Sequence, residues 1–246
     1  MAVLGDVKES LAALLPLVEA KSHEAWHNEF KEKYKIELES VINDELNPKG
    51  EGISMGETIE MINKHSNGDA IMVSDVGQHQ MFTCRYSKFN QSKSNITSGG
   101  LGTMGFALPA AIGAKMGQPD REVVAIIGDG GFQMTIQELG TIFQTRVPVK
   151  IVVLNNEFLG MVRQWQQLFF FYLYASTEMI NPNFIAIAEG YYIKAKKVTK
   201  REDLDAAVAE MLASKEAYFL EVMVEKENNV FPMIPTGASV SDIRLS

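Results

Sequence analysis

Two short turns carry the strongest chemistry in the chain. Gly128-Asp129-Gly130-Gly131 follows the apolar run Val123-Val-Ala-Ile-Ile127. Asn155-Asn156 follows a second run, Ile151-Val-Val-Leu154, and Asp129 and Asn156 stand 27 residues apart. If the runs are neighbouring parallel strands, both turns fall at one edge of one sheet. A carboxylate and an amide oxygen then converge on a shared hard cation. Magnesium suits that pair, because it takes octahedral oxygen ligands and commonly uses one or two protein groups plus phosphate oxygens. Gly130 and Gly131 leave the start of the following helix bare, so its amides are expected to face a diphosphate.

Two other patterns compete. His23-Glu24-Ala-Trp26-His27 matches a zinc-protease helix, with imidazoles at i and i+4 and Glu24 as base. Catalytic zinc needs a third protein ligand, and the other histidines, His65 and His79, lie far along the chain. A solvated helix face is the plainer expectation. Gly100-Leu-Gly102-Thr-Met104-Gly105 matches a dinucleotide fingerprint, which requires a buried strand directly before it. The preceding Lys93-Ser-Asn-Ile-Thr-Ser-Gly99 makes a poor one, so a non-catalytic dinucleotide-binding module remains an alternative only.

The elements that must position these turns follow from hydropathy. Residues 7–46 are helical in pattern and densely charged, and Asn47-Pro-Lys-Gly50-Glu-Gly52 is a breaker. Residues 1–46 are expected to form a helical connector, and 47–246 one domain. Within it, strands are expected at 70–74, 123–127, 150–154 and 218–224, and helices at 55–65, 105–116, 135–144, 183–189 and 202–215. Unalternating β-branched runs suit parallel strands covered on both faces. The expected fold is α/β, a doubly wound, mainly parallel sheet with helices on both faces, whose ligands bind beyond the strands' carboxyl ends.

Composition sets the limits. The 246 residues are 46% apolar and 22% charged, with net charge −8, which argues against a broad nucleic-acid surface. No apolar run approaches membrane-helix length, and Cys84 is the single cysteine. A cytoplasmic setting is expected, with no nucleic acid and no membrane as partner.

The motifs together resemble one family. Asp75-Val-Gly77-Gln78-His79-Gln-Met81, Ser98-Gly-Gly-Leu-Gly102-Thr-Met104-Gly-Phe106, Leu159-Gly160-Met161-Val-Arg-Gln-Trp165-Gln166 and Phe231-Pro-Met233, with the two turns above, resemble the catalytic subunit of acetolactate synthase (acetohydroxyacid synthase). The resemblance runs over roughly residues 50–235 and is to the C-terminal, diphosphate-binding domain, with 1–46 similar to the tail of the central domain. It implies thiamin diphosphate and Mg2+ as cofactors. It implies FAD for the longer enzyme, at a site outside this chain. Asp129, Asn156 and the Phe158 carbonyl would ligate magnesium. Gly77, Gln78, His79, Gly102, Gly128, Gly130, Gly131, Leu159 and Gly160 would cradle the cofactor, with Gln78 and His79 at the diphosphate. Met104 would wedge beneath it, and Met161 and Trp165 would line the substrate side.

The implied reaction condenses two pyruvates, or pyruvate and 2-ketobutyrate, with loss of CO2, in branched-chain amino acid biosynthesis. The activating glutamate belongs to a pyrimidine-binding domain that nothing here resembles, so the chain alone is expected to lack a complete site. Partners implied are 2-keto acids, a homo-oligomer (dimer or higher) and a regulatory subunit. Glyoxylate carboligase or a 2-keto acid decarboxylase shares the two turns, but the Gly160–Trp165 stretch discriminates against them. Two departures stand out: Gly131 replaces a side chain such as Ser, and Leu168-Phe-Phe-Phe-Tyr-Leu-Tyr174 is an apolar lid where relatives carry charge. That patch leaves an interaction domain without catalysis as a further alternative.

Overall fold

The computed structural model describes residues 2–246. It contains two compact units, 1–39 and 40–246. The first unit is helical. Its α1 (Val7–Leu14) starts where the Asp6 carboxylate accepts the Lys8 and Glu9 amides, and gives way to a 3-10 turn at Pro16. Its α2 (Glu24–Glu37) places Trp26, Phe30 and Tyr34 at successive i+4 positions, all exposed. Neither helix buries a residue.

The second unit takes in residues 40–46, ahead of the breaker where the connector was expected to end. The short α3 (Asn43–Leu46) packs on α4 (Met55–Ser66). Glu45, buried, accepts the Gly56 amide at 2.7 Å and so closes the Asn47–Gly52 loop into the unit. A Pro- and Gly-rich stretch marks a chain reversal here, since both of its flanks pack together. At the start of α4, Ser54 and Glu57 exchange side-chain-to-amide bonds across the first turn, a capping box that fixes where the helix starts.

The chain then alternates: β1 (Ile71–Ser74), α5 (Gln78–Tyr86), β2 (Asn95–Thr97), α6 (Ala107–Gly117), β3 (Val123–Gly128), α7 (Asp129–Met134), α8 (Leu139–Thr145), β4 (Lys150–Asn155), α9 (Gly160–Phe169), α10 (Phe184–Gly190), β5 (Lys194–Val198), α11 (Leu204–Ala213) and β6 (Tyr218–Met223). The six strands are all parallel, in the order β2-β1-β3-β4-β6-β5. Strand residues alternate between two cores. Met72, Val124, Ile126, Val152 and Leu220 join Ile59, Phe82 and Val208 of α4, α5 and α11. Val73, Ala125, Ile127, Ile151 and Phe219 join Leu108, Ile142 and Phe184 of α6, α8 and α10. The sheet is therefore doubly wound, as expected.

The four interior strands lie where expected, while the helices α5 and α9 and both edge strands lie outside the expected set. The edge strands, β2 and β5, do so because their exposed positions carry Asn95, Lys194 and Lys197 rather than an apolar run. Lysine on an edge strand also discourages pairing with another chain. The order reverses between β1 and β3, where one crossover runs outward to β2 and the next returns past β1 to β3. Loops leaving such a reversal diverge and open a crevice at the carboxyl ends of the strands.

Candidate functional site

A cavity of about 330 Å3 occupies that crevice. The turn after β1 contributes Gly77, Gln78 and His79, and the turn after β3 contributes Gly128, Asp129, Gly130 and Gly131. The turn after β4 contributes Asn156, Phe158, Leu159, Gly160 and Met161, while Gly102 and Met104 reach in from the loop before α6. Asp129 and Asn156 thus meet because β3 and β4 are hydrogen-bonded neighbours in parallel register, with Gly128 opposite Leu154. Trp165 does not line this cavity. It sits half-buried on α9 with its ring 4.7 Å from that of Phe169.

Asp129 opens α7 rather than preceding it, so Gly130 and Gly131 form the helix's first turn and not a bare lead into it. Its Oδ2 accepts from Asn181 Nδ2 at 2.7 Å and its Oδ1 from the Gly130 amide at 3.1 Å. Burial raises its pKa to about 6, against the Asn181 and backbone bonds that favour the charged form. A buried carboxylate with no cation to neutralise it costs folding energy.

Asn156 heads a tight turn. Glu157 adopts φ +56°, and the Phe158 amide donates back to Asn156 Oδ1 at 3.2 Å. The Met179 amide donates to the Glu157 carbonyl, and the Leu159 amide to the Thr177 carbonyl. These two bonds bracket Phe158 and leave its carbonyl outside the ladder. Asn181 was not among the residues expected from sequence. It belongs to no motif, and only the fold of residues 175–183 over the β3 and β4 turns brings it to Asp129.

His79 is buried, its Nε2 has no hydrogen-bond partner, and desolvation lowers its pKa to about 4. The imidazole is therefore neutral at neutral pH. It lies across the end of β3, where a Cβ on Gly128 would come within 2.8 Å of its Cε1. At Gly160 a Cβ would meet Gln78 Oε1 and Asn156 Nδ2, and at Gly131 it would come within 2.9 Å of Asp75 Oδ2. That last contact accounts for the bare glycine at 131. Asp75, fully buried, has no room to retreat, because Val76 and Gly105 both donate their amides to it.

The same carboxylate disposes of the dinucleotide alternative. Asp75 receives the amides of Gly105, Phe106 and Ala107 at the head of α6, where a pyrophosphate would have to bind. Gly105 can turn its amide inward because it holds φ +84°, a conformation that favours glycine. The zinc-protease pattern also fails to assemble. His23 precedes α2 as its N-cap residue, Glu24 and His27 are exposed on the helix, and among the described residues no three His, Cys, Asp or Glu converge on a metal position.

Residues beyond the expected set complete the walls: Met55, Val76, Gln80, Met81, Leu154 and Val162. The Phe169–Tyr174 stretch runs on from α9 with Phe171 and Leu173 89% and 72% exposed. Its far end is tied back by Gln166, whose side chain exchanges two hydrogen bonds with the Ala175 backbone. Among the described residues no helix is long and apolar enough to cross a membrane.

Comparisons with known proteins bear on this geometry. Residues 75–222 match the model for "Thiamine pyrophosphate enzyme, C-terminal TPP binding domain". The chain is 39% identical to acetolactate synthase 2, chloroplastic, of Nicotiana tabacum, over 99% of this chain and 38% of that protein. It is 40% identical to the acetolactate synthase large subunit of Lactococcus lactis subsp. lactis, over 96% of this chain and 40% of that one. A similar solved structure is the Rhodococcus jostii RHA1 thiamine diphosphate-dependent 4-hydroxybenzoylformate decarboxylase, with TM-score 0.67 and 27% identity over 73% of this chain and 34% of that chain. The chain thus spans less than half the length of these relatives.

Proposed function

Because this chain belongs to the thiamine pyrophosphate enzymes, as their C-terminal TPP binding domain, we propose that it is the diphosphate- and cation-binding part of an acetolactate synthase. The observation that carries the reading is the shared cavity. Asp129 and Asn156 end adjacent parallel strands there, beside the unpartnered Nε2 of a buried, neutral His79. Those residues fit magnesium thiamin diphosphate chemically. Asp129, the Asn156 side-chain oxygen and the Phe158 carbonyl are hard oxygen donors of the kind magnesium takes. His79, neutral with its proton on Nε2, would donate to a phosphate oxygen, and the glycines at 128, 130 and 131 keep side chains out of the space beside the strand ends.

When bound, the cofactor supplies the carbon nucleophile that decarboxylates one 2-keto acid and joins the remainder to a second. The chain's own work is to bind and orient. Asp129 supplies the charge that neutralises the cation, and cation binding in turn relieves the cost of burying its carboxylate. Met104 approaches the Gly130 position, within 3.7 Å of where a Cβ would stand, and forms the apolar floor that would hold the cofactor bent. Met161 lines the same cavity towards α9. Trp165 would act on the second substrate only after the α9–Tyr174 segment changes position.

The glutamate that activates the cofactor is assigned to a part of the relatives that this chain does not span. The resemblance further supports a homo-oligomer (dimer or higher), a regulatory subunit and a cytoplasmic setting. We therefore expect the purified chain to bind the cofactor weakly, through its diphosphate, without turnover. Calorimetric titration with thiamin diphosphate tests this. Binding should require Mg2+ and disappear in Asp129→Ala; equal binding without Mg2+, or a robust decarboxylation rate from the chain alone, contradicts it.

A further inference from the structure

Gln78, expected at the diphosphate, has its side-chain nitrogen bonded within the chain. Nε2 donates to Gln164 Oε1 and to the Asn228 carbonyl, both at 2.8 Å. Gln164 is itself fixed by backbone groups. Its Oε1 accepts the Val230 amide at 2.9 Å and its Nε2 donates to the Val230 carbonyl at 3.1 Å. A backbone N–H can only donate and a carbonyl can only accept, so the orientation of the Gln164 amide is determined. That orientation and the Asn228 carbonyl both call for the Gln78 nitrogen, which leaves the Gln78 oxygen toward Asn156, whose Nδ2 lies 3.5 Å away. Asn156 is left with its nitrogen facing Gln78 and its oxygen at the Phe158 amide. Flipping Asn156 would set oxygen against oxygen at Gln78 and nitrogen against N–H at Phe158.

We propose that Gln164 is a positioning residue: together with the Asn228 carbonyl it fixes the Gln78 amide, and Gln78 in turn reinforces the orientation in which Asn156 presents its side-chain oxygen, and not its nitrogen, as a cation ligand. The inference rests on the cation-site reading above and extends it to residues outside that site. All three amide side chains are buried, so a wrong orientation has no water to correct it, and the cost of unpaired buried polar groups locks the sequence of bonds. Arg163 holds the far anchor in place, donating through Nη2 to the Asn228 carbonyl and to Asn229 Oδ1. The Asn228–Val230 segment after β6 thereby sets the polarity of a ligand on the turn after β4. Partners that orient metal ligands in this way change metal affinity by roughly 10–100-fold when removed.

The test has two arms on the purified chain. The first needs no ligand. In a nitrogen–proton correlation spectrum, the Asn156 side-chain amide pair is identified by its loss in Asn156→Asp. It should keep its position in Gln164→Glu, which retains the oxygen facing Gln78, and move toward free-amide values in Gln164→Leu. Gln78→Met gives the same loss while leaving both Val230 bonds to Gln164 intact, which covers failure of Gln164→Leu to fold. The second arm titrates Mg2+ into the chain in the presence of a fixed excess of thiamin diphosphate and reads the apparent Mg2+ affinity. Affinity should fall about tenfold in Gln164→Leu and Gln78→Met and recover to within about threefold of wild type in Gln164→Glu. A role confined to clamping Val230 would instead weaken both Gln164 variants alike and spare Gln78→Met. Unmoved Asn156 resonances in Gln78→Met overturn the relay. Moved resonances with unchanged Mg2+ affinity overturn its link to the cation. Absence of Mg2+-dependent binding in wild type overturns the functional reading, and the first arm still decides the relay.

Discussion

At the amino edge of the sheet, Lys150 and Lys115 are both buried, and each ammonium group holds two carbonyl oxygens. Lys150 Nζ lies 2.7 Å from the Ser214 and Glu216 carbonyls; Lys115 Nζ reaches those of Pro119 and Arg121. At the carboxyl edge, buried Asp129 accepts from neutral donors, the Asn181 amide and the Gly130 N–H, burial raises its pKa to about 6, and His79 Nε2 has no hydrogen-bond partner. The helices and strands that meet these two edges are the same ones. What differs is what faces the buried charge: the two lysines hold pairs of loop carbonyls, whereas Asp129 meets the neutral Asn181 amide and a backbone N–H in the wall of the cavity. The amino edge closes the loops that return the chain to the sheet, whereas the carboxyl edge lines the cavity with a carboxylate and a neutral imidazole, which suits the proposed cation and diphosphate.

Substitutions should separate the two edges. The largest effect is expected at Lys150→Met, which removes a shared ammonium donor from the Ser214 and Glu216 carbonyls, leaving that of Glu216 with the Ser214 hydroxyl, and should cost about 2 kcal/mol in denaturant unfolding. Magnesium and cofactor affinity, measured on the folded fraction, should be unchanged. Asp129→Asn should do the reverse. The folded carboxyl titrates near 6 and the unfolded one near 3.8, so the ligand-free wild type binds more protons folded than unfolded between those values. Its stability should therefore fall as pH rises from about 4 to about 6 and level off above. The Asp129→Asn substitution removes that slope and should stabilise the ligand-free chain at pH 7 by roughly 1–2 kcal/mol, readable as a raised denaturant midpoint.

Asn181→Leu should come next. It removes the donor to Asp129 Oδ2 and to Asn155 Oδ1, and Mg2+ affinity should drop about tenfold by calorimetry. An unchanged affinity would confine Asn181 to holding its own loop. The smallest effect is expected at Glu210, clasped between Lys194 and Lys196 and pushed down to about 2 by them. Its side chain is exposed, so Glu210→Gln should change stability by no more than about 0.5 kcal/mol at low salt and by nothing at high salt. What contribution there is should be present above pH 4.5 and lost as pH falls toward 2. Lysines at the same end of the sheet thus separate by burial.

The amino-acid sequence discloses the interior of this fold better than its borders. β1, β3, β4 and β6 are covered on both faces, so they appear as apolar runs. β2 and β5 border solvent, and their Asn and Lys conceal them from a search for such runs. The site divides similarly. Asp129 and Asn156 sit directly after apolar strands, and adjacency of those strands is enough to bring them together. Asn181 and the Gln164–Gln78 relay depend on long-range docking of the 175–183 and 228–230 segments, which no local spacing records. Trp165 lies in a quoted motif, yet α9 turns it away from the cavity and onto Phe169. The Asn47–Gly52 stretch interrupts the chain between α3 and α4, yet Glu45 ties its near flank to α4.

Thermal unfolding of wild type and Asp129→Asn, each with and without Mg2+ and thiamin diphosphate together, probes the carboxyl edge most directly. Asp129→Asn should melt higher than wild type without ligand, and only wild type should gain from the pair of ligands, as mass action on a folded-state site requires. A ligand-free Asp129→Asn that melts below wild type, or one that gains as much from the ligands, would contradict a carboxyl edge kept unsatisfied for a cation.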